Sequence, residues 1–141
     1  MGIRIILSVM LIGLALAGGA VAEDDYAGEA RVIDGDTIAI AGRKFRLEGL
    51  HAPEVGEPGG AAATHFMRRL LGDRRVACAP TGDTSYDRLI AVCRVAGEGD
   101  IAAALVKAGL GRDCGRYSGG RYARFETAAG ARLPLPGYCE R

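Results

Sequence analysis

Three short runs of alternating apolar residues are crowded between positions 29 and 50, too close together for helices between them. Residues 29–33 read as a strand running into the turn Asp34-Gly35-Asp36. Residues 37–40 form a second strand, with Ile38 and Ile40 on one face. Ala41-Gly42 makes a tight turn into a third strand over 44–50. There Phe45 and Leu47 point one way and Arg46 and Glu48 the other, because strand residues alternate in direction. Such a meander has one apolar face and must bury it against something else.

The rest of the chain supplies the cover. A loop over 51–60 is broken by Pro53 and Pro58. Residues 61–71 then read as a helix, with Ala62, Phe66 and Leu70 forming an apolar stripe and Gly72 its C-cap. Strands over 74–79 and 89–95 follow, joined by a polar segment containing Asp83, Tyr86 and Arg88. Asp100 caps a helix over 101–108, which Gly109 stops. Ser118 opens a shorter helix through Tyr122, Phe125 and Ala129, ended by Gly130 and Pro134. Five short strands in a chain of 141 residues cannot bury both faces of a flat sheet. The economical solution is mainly β: a small five-stranded OB-fold barrel with about three helices, one plugging an end.

The first 22 residues stand apart. Arg4 precedes an apolar stretch over 5–16, and Ala20-Val21-Ala22 closes a run of small residues before the acidic Glu23-Asp24-Asp25. This is the pattern of a signal peptide over 1–22, leaving a domain over 23–141 with its core at about 30–130 and a C-terminal strap over 131–141. An uncleaved anchor helix would want ~20 apolar residues, more than this stretch offers. The expected product is periplasmic or secreted, a monomer not held in the membrane after cleavage.

Composition narrows the partners. With 49% apolar residues the chain is not a disordered one. The 18 Lys and Arg include Arg4, and without it they balance the 17 Asp and Glu. A domain that coats nucleic acid by total charge is therefore excluded, and any such contact must come from a local patch. Cys78, Cys93, Cys114 and Cys139 are even in number and contain no CxxC knuckle, which favours two disulfides over a thiolate zinc site. Three pairings are possible. Cys78–Cys93 is preferred, because both lie in apolar runs that can be adjacent strands, and Cys114–Cys139 would then tie down the tail.

The run Val32-Ile33-Asp34-Gly35-Asp36-Thr37 resembles the opening motif of the staphylococcal nuclease-like (thermonuclease) family. Residues 45–54, from Phe45 to Glu54, are similar to its second motif, and Tyr86-Asp87-Arg88-Leu89 before an apolar strand to its third. Leu105-Val106, Gly109-Leu110, and Tyr122 with Glu126 match weaker C-terminal features, so the resemblance spans about 30–129. It implies a five-stranded OB-type barrel with three helices and a nuclease that cuts DNA or RNA, usually with calcium. It also implies roles. Asp36 would be a direct metal ligand, the Ala52 carbonyl another, and Asp34 would shape the ion's outer surroundings. Arg46 and Arg88 would grip the scissile phosphate, and Glu54 would order or deprotonate the attacking water.

Chemistry gives the same residue types a purpose. Attack on a phosphodiester adds charge to its equatorial oxygens, which guanidiniums and a hard cation offset. Arginine's planar fork matches two phosphate oxygens. A carboxylate polarises water within hydrogen-bond reach. Tyr86 and Tyr117 are candidates for nucleotide contact, since aromatic rings stack on bases without sequence preference. Tyr122 reads as packing, and His65 as a surface helix residue.

Three departures from the family pattern matter. His51 stands where the second motif usually has a metal-binding Asp; imidazole suits zinc, nickel, copper or iron better than calcium. Asp87 replaces a Gly and puts an acid beside Arg88. The C-terminus lacks the usual basic run with Trp. The expected function is an exported metal-dependent nuclease of little sequence specificity. The rival is an inactive OB-fold module that binds nucleic acid or a cell-envelope partner.

Overall fold

In the computed structural model, residues 26–140 are described; the expected signal peptide over 1–22 lies outside them. β1 (Ala27–Val32), β2 (Thr37–Ile40) and β3 (Arg43–Leu47) form the antiparallel meander, with Ile38, Phe45 and Leu47 fully buried. The third strand ends sooner than its alternation suggests. Gly49 turns the chain with φ 71°, and Leu50–His51 (β4) leaves to pair elsewhere. Glu48 therefore lies beyond the strand and does not share a strand face with Arg46; it is paired with Arg121.

Helix α1 (Gly60–Leu71) packs Ala63, Met67 and Leu71 into the core. That face is one residue away from the stripe the sequence suggests: Ala62 is exposed, and Phe66 and Leu70 are half-buried. Gly72 caps the helix with φ 50°. A long hairpin follows, β5 (Arg75–Ser85) against β6 (Arg88–Val95), with Tyr86-Asp87 as its tip. β6 also runs parallel to β3, so the order β3-β2-β1-β5-β6 closes on itself as a five-stranded OB-type barrel. Each large apolar side chain buried inside it contributes roughly 1.5–3 kcal/mol.

The short β7 (Gly99–Asp100) leads into α2 (Ile101–Lys107), where the Asp100 carboxylate accepts from the Ala103 amide. β8 (Arg112–Asp113) pairs with β4, carrying the chain to the rim of the barrel. The next helix, α3 (Gly115–Ser118), ends at Ser118 where the sequence suggests it begins. The Ser118 hydroxyl donates to the buried Asp113 carboxylate, 2.5 Å away, so it secures the preceding strand and caps no helix. Three-residue 3-10 turns over Ala123–Phe125, Gly130–Arg132 and Gly137–Cys139 complete the chain.

Cys78 and Cys93 are direct partners across the β5–β6 ladder and are bonded to each other; Cys114 is bonded to Cys139. No thiol is free. Among the described residues no helix is long and apolar enough to cross a membrane.

Candidate functional site

A cleft of about 980 Å³ opens where the β1–β2 turn, the end of β3, the 51–60 loop, the β5–β6 hairpin, α3 and the C-terminal strap meet. Asp36, Arg46, His51, Ala52, Glu54, Tyr86, Arg88 and Tyr117 all line it. Asp34 does not; its Oδ1 accepts from the Asp36 amide at 3.0 Å and shapes the turn. Burial, and then the charge of Asp36, holds the Asp34 carboxyl above the ordinary carboxylate value.

Glycine makes this corner possible at two points. A Cβ on Gly35 would fall 2.8 Å from the Cβ atoms of both Ala52 and Ala63, so only Gly lets the acidic turn seat against the loop and α1. A Cβ on Gly60 would lie 1.7 Å from the Glu54 carbonyl oxygen, so the loop bearing Glu54 rests directly on the start of α1.

The polar floor is a connected chain. Arg46 faces Thr37 across the β2–β3 ladder, and its guanidinium pairs with Asp36 and donates to the Leu50 carbonyl at 3.3 Å. The other Asp36 oxygen accepts from the Thr37 hydroxyl at 3.0 Å, and the Ala52 amide approaches Asp36 at 3.5 Å. Thr37 Oγ1 in turn accepts from Arg88 at 3.3 Å. Arg88 also donates to the Ser85 carbonyl at 3.2 Å and the Ser85 hydroxyl at 3.0 Å. Thr37 and Ser85 thus hold the two arginines' surroundings in place, a role the sequence reading missed. Thr37 carried a signal only through its position after Asp36.

The Asp87 charge is disposed of locally. Its carboxylate meets Lys44 at 2.6 Å on a separate groove of the surface, and that hydrogen bond holds its pKa below the ordinary value. It makes no pair with Arg88. His51 is half-buried in the cleft, and its Nδ1 has no hydrogen-bond partner. Burial lowers its pKa, Asp36 offsets part of that and Arg46 reinforces it, so the neutral ring is favoured. Glu54 is exposed, with its amide donating to Glu57 at 2.9 Å.

Two further cleft residues had no sequence signal: Arg116, on α3, and Tyr138, on the strap. Tyr122 is buried, with its hydroxyl donating to Asp100, and so belongs to the packing.

The sequence profile described as "Staphylococcal nuclease homologue" matches residues 44–130. The chain is also 28% identical over 134 residues to "Succinoglycan biosynthesis protein ExoI" of Rhizobium meliloti (strain 1021), covering 87% of this chain and 70% of that protein.

Proposed function

This chain belongs to the staphylococcal nuclease homologue family, and from that premise we propose that it hydrolyses phosphodiester bonds of DNA or RNA with little base specificity. One observation carries the reading: Arg46 and Arg88, from opposite sides of a linked polar floor, open on the same cleft as the exposed Glu54. Glu54 takes a proton from water as the water oxygen attacks phosphorus. The bond to the leaving oxygen breaks, and that oxygen takes a proton from solvent. Arg46 and Arg88 offset the charge on the equatorial oxygens, the largest contribution a fixed site can make. A guanidinium has five N–H donors, so the Asp36 and Leu50 contacts leave Arg46 donors for phosphate.

Family members generally use calcium, and the donors here do not fit it. Among the described residues no group of three His, Cys, Asp or Glu is placed to hold a metal ion. Asp36 is engaged by Arg46, Thr37 and the Ala52 amide, and His51 offers a nitrogen where calcium takes oxygen. Imidazole chemistry at His51 favours zinc, nickel, copper or iron.

Export to the periplasm or beyond fits the N-terminal segment and two disulfides in so small a domain. The decisive experiment is cleavage of labelled DNA and RNA by the oxidised protein, chelated and then supplied with calcium, magnesium, manganese or zinc separately. Wild type is expected to cut and Glu54→Ala to leave substrate intact. Binding without cleavage under every condition would favour a second reading, a silent nucleic-acid-binding module, for which the Asp36–Arg46 pair and His51 already speak.

A further inference from the structure

The described chain has three tyrosines at least half exposed, and all of them line the cleft: Tyr86 at 95%, Tyr117 at 52% and Tyr138 at 51%. Solvent-facing aromatics gathered at one site are costly to leave uncovered and mark a surface meant for a ligand. Tyr86 and Tyr117 are already candidates for nucleotide contact. Tyr138 comes from the other end of the domain, and its placement has a covalent cause. It sits beside Cys139, which is buried and bonded to Cys114, the residue that opens α3. That helix carries Arg116 and Tyr117. The disulfide therefore ties the strap that carries Tyr138 to the start of the helix that carries Arg116 and Tyr117, and all three line the same cleft.

These groups are not used within the molecule. Among the described residues the rings of Tyr117 and Tyr138 make no ring or cation contact, their hydroxyls make no hydrogen bond, and Arg116 makes no ion pair. Ring faces stack on any base, and an extra guanidinium meets a phosphate beyond the scissile one. A cleft of about 980 Å³ sits at the upper end of the ~300–1,000 Å³ that one small ligand needs, which leaves room for a nucleotide beside the reacting phosphate. Bases are free to stack on protein in a single strand, whereas a duplex keeps them on one another.

We infer that Tyr138, held by the Cys114–Cys139 bridge beside Arg116 and Tyr117, forms a base-stacking subsite that selects single-stranded nucleic acid. The inference rests on the nuclease reading for its place beside the scissile phosphate, but its binding half can be tested alone. The full oxidised protein and its Tyr138→Ala, Tyr138→Phe and Arg116→Ala variants would be titrated into a labelled short single strand and a blunt duplex by fluorescence anisotropy. KM and kcat would be measured in parallel. Tyr138→Ala should weaken single-strand binding on the order of tenfold, the range of one lost stacking contact. The loss should fall mainly on KM, leave duplex binding unmoved, and be restored by Tyr138→Phe. Arg116→Ala should weaken binding and flatten its salt dependence. Equal single-strand binding by wild type and Tyr138→Ala, or an equal loss on duplex, overturns the subsite whether or not the protein cuts. Tight single-strand binding that Tyr138→Ala weakens, without any cleavage, supports the subsite and instead removes the nuclease reading.

Discussion

Arg46 and Asp36 neutralise one another on the floor of the cleft, and the barrel's register brings them there: Arg46 faces Thr37 across the β2–β3 ladder, next to Asp36. Their side chains are 17% and 10% exposed, so this is a largely buried pair. Removing one partner strands the other's charge, which costs about 3 kcal/mol or more. Arg46→Ala should therefore lose both turnover, by roughly 10²–10³-fold, and stability. Arg46→Lys keeps the charge but not the planar fork, so it should recover much of the stability and little of the turnover. Denaturant unfolding beside initial rates separates the two effects; an Arg46→Ala protein with wild-type turnover would contradict the assigned role.

Thr37 sits between the two halves of the site. Its single hydroxyl donates to Asp36 and accepts from Arg88, and the residue is 2% exposed. Thr37→Val keeps the shape and removes both bonds. It should lower kcat about tenfold while changing KM little, because what is lost is the aim of Arg88 at the charge that develops during reaction. Thr37→Ser should restore kcat. A Thr37→Val enzyme whose kcat and pH profile match wild type would show that Ser85 alone is enough to hold Arg88.

How far the sequence carries the reader depends on what each residue contacts. The meander was legible because β-period alternation and two tight turns are local signals, and the Asp100 cap was legible for the same reason. The buried face of α1 was not. Phe66-Met67 and Leu70-Leu71 are adjacent apolar pairs, so two stripes fit the pattern and only docking on the barrel chooses Met67 and Leu71. Ser118 has the look of a helix cap, but its hydroxyl is claimed by Asp113. At the site, Arg46, His51, Glu54 and Arg88 line one cleft. Arg116 and Tyr138 were invisible because long-range links bring them there: the β4–β8 pairing for Arg116 and the Cys114–Cys139 disulfide for Tyr138.

His51 lines the cleft close to Asp36, so on the nuclease reading its replacement by a carboxylate tests which ion the cleft accepts. Burial, first, holds its ring below the ordinary pKa and favours the neutral form, whereas His51→Asp brings a carboxylate with its charge and oxygen donors. Calcium affinity rises with the number of charged oxygen ligands. His51→Asp should bind calcium at least roughly tenfold more tightly than wild type in a calorimetric titration of chelated protein. Equal affinity in the two proteins would mean that position 51 does not reach the ion.

The Cys114–Cys139 bridge closes a loop of 25 residues. On the chain-entropy view, losing it costs ~3–4 kcal/mol. The Cys114→Ser/Cys139→Ser double variant should show that drop in urea unfolding. The Cys78→Ser/Cys93→Ser variant should lose about 3 kcal/mol for its shorter loop of 15 residues. Only the first should also weaken single-strand binding, because only it frees the segment carrying Tyr138. If both variants bind a single strand alike, the strap does not depend on its bridge for position.

Tyr122 gives the fold an alkaline limit. It is 1% exposed; burial is the largest influence on its hydroxyl, the Arg121 hydrogen bond offsets part of that, and the Asp100 carboxylate adds to it. Together they raise its pKa from the ordinary 10.0 to about 12. The folded state keeps this proton where the unfolded chain has lost it. The stability it contributes is complete below pH 10 and falls away as pH rises through about 12. In an absorbance titration of tyrosinate, Tyr122 should give a late step near pH 12. Tyr122→Phe should lack that late step and lose less stability between pH 10 and 12 than wild type does. A wild-type protein with no such late step, while circular dichroism holds steady, would show that Tyr122 is open to water.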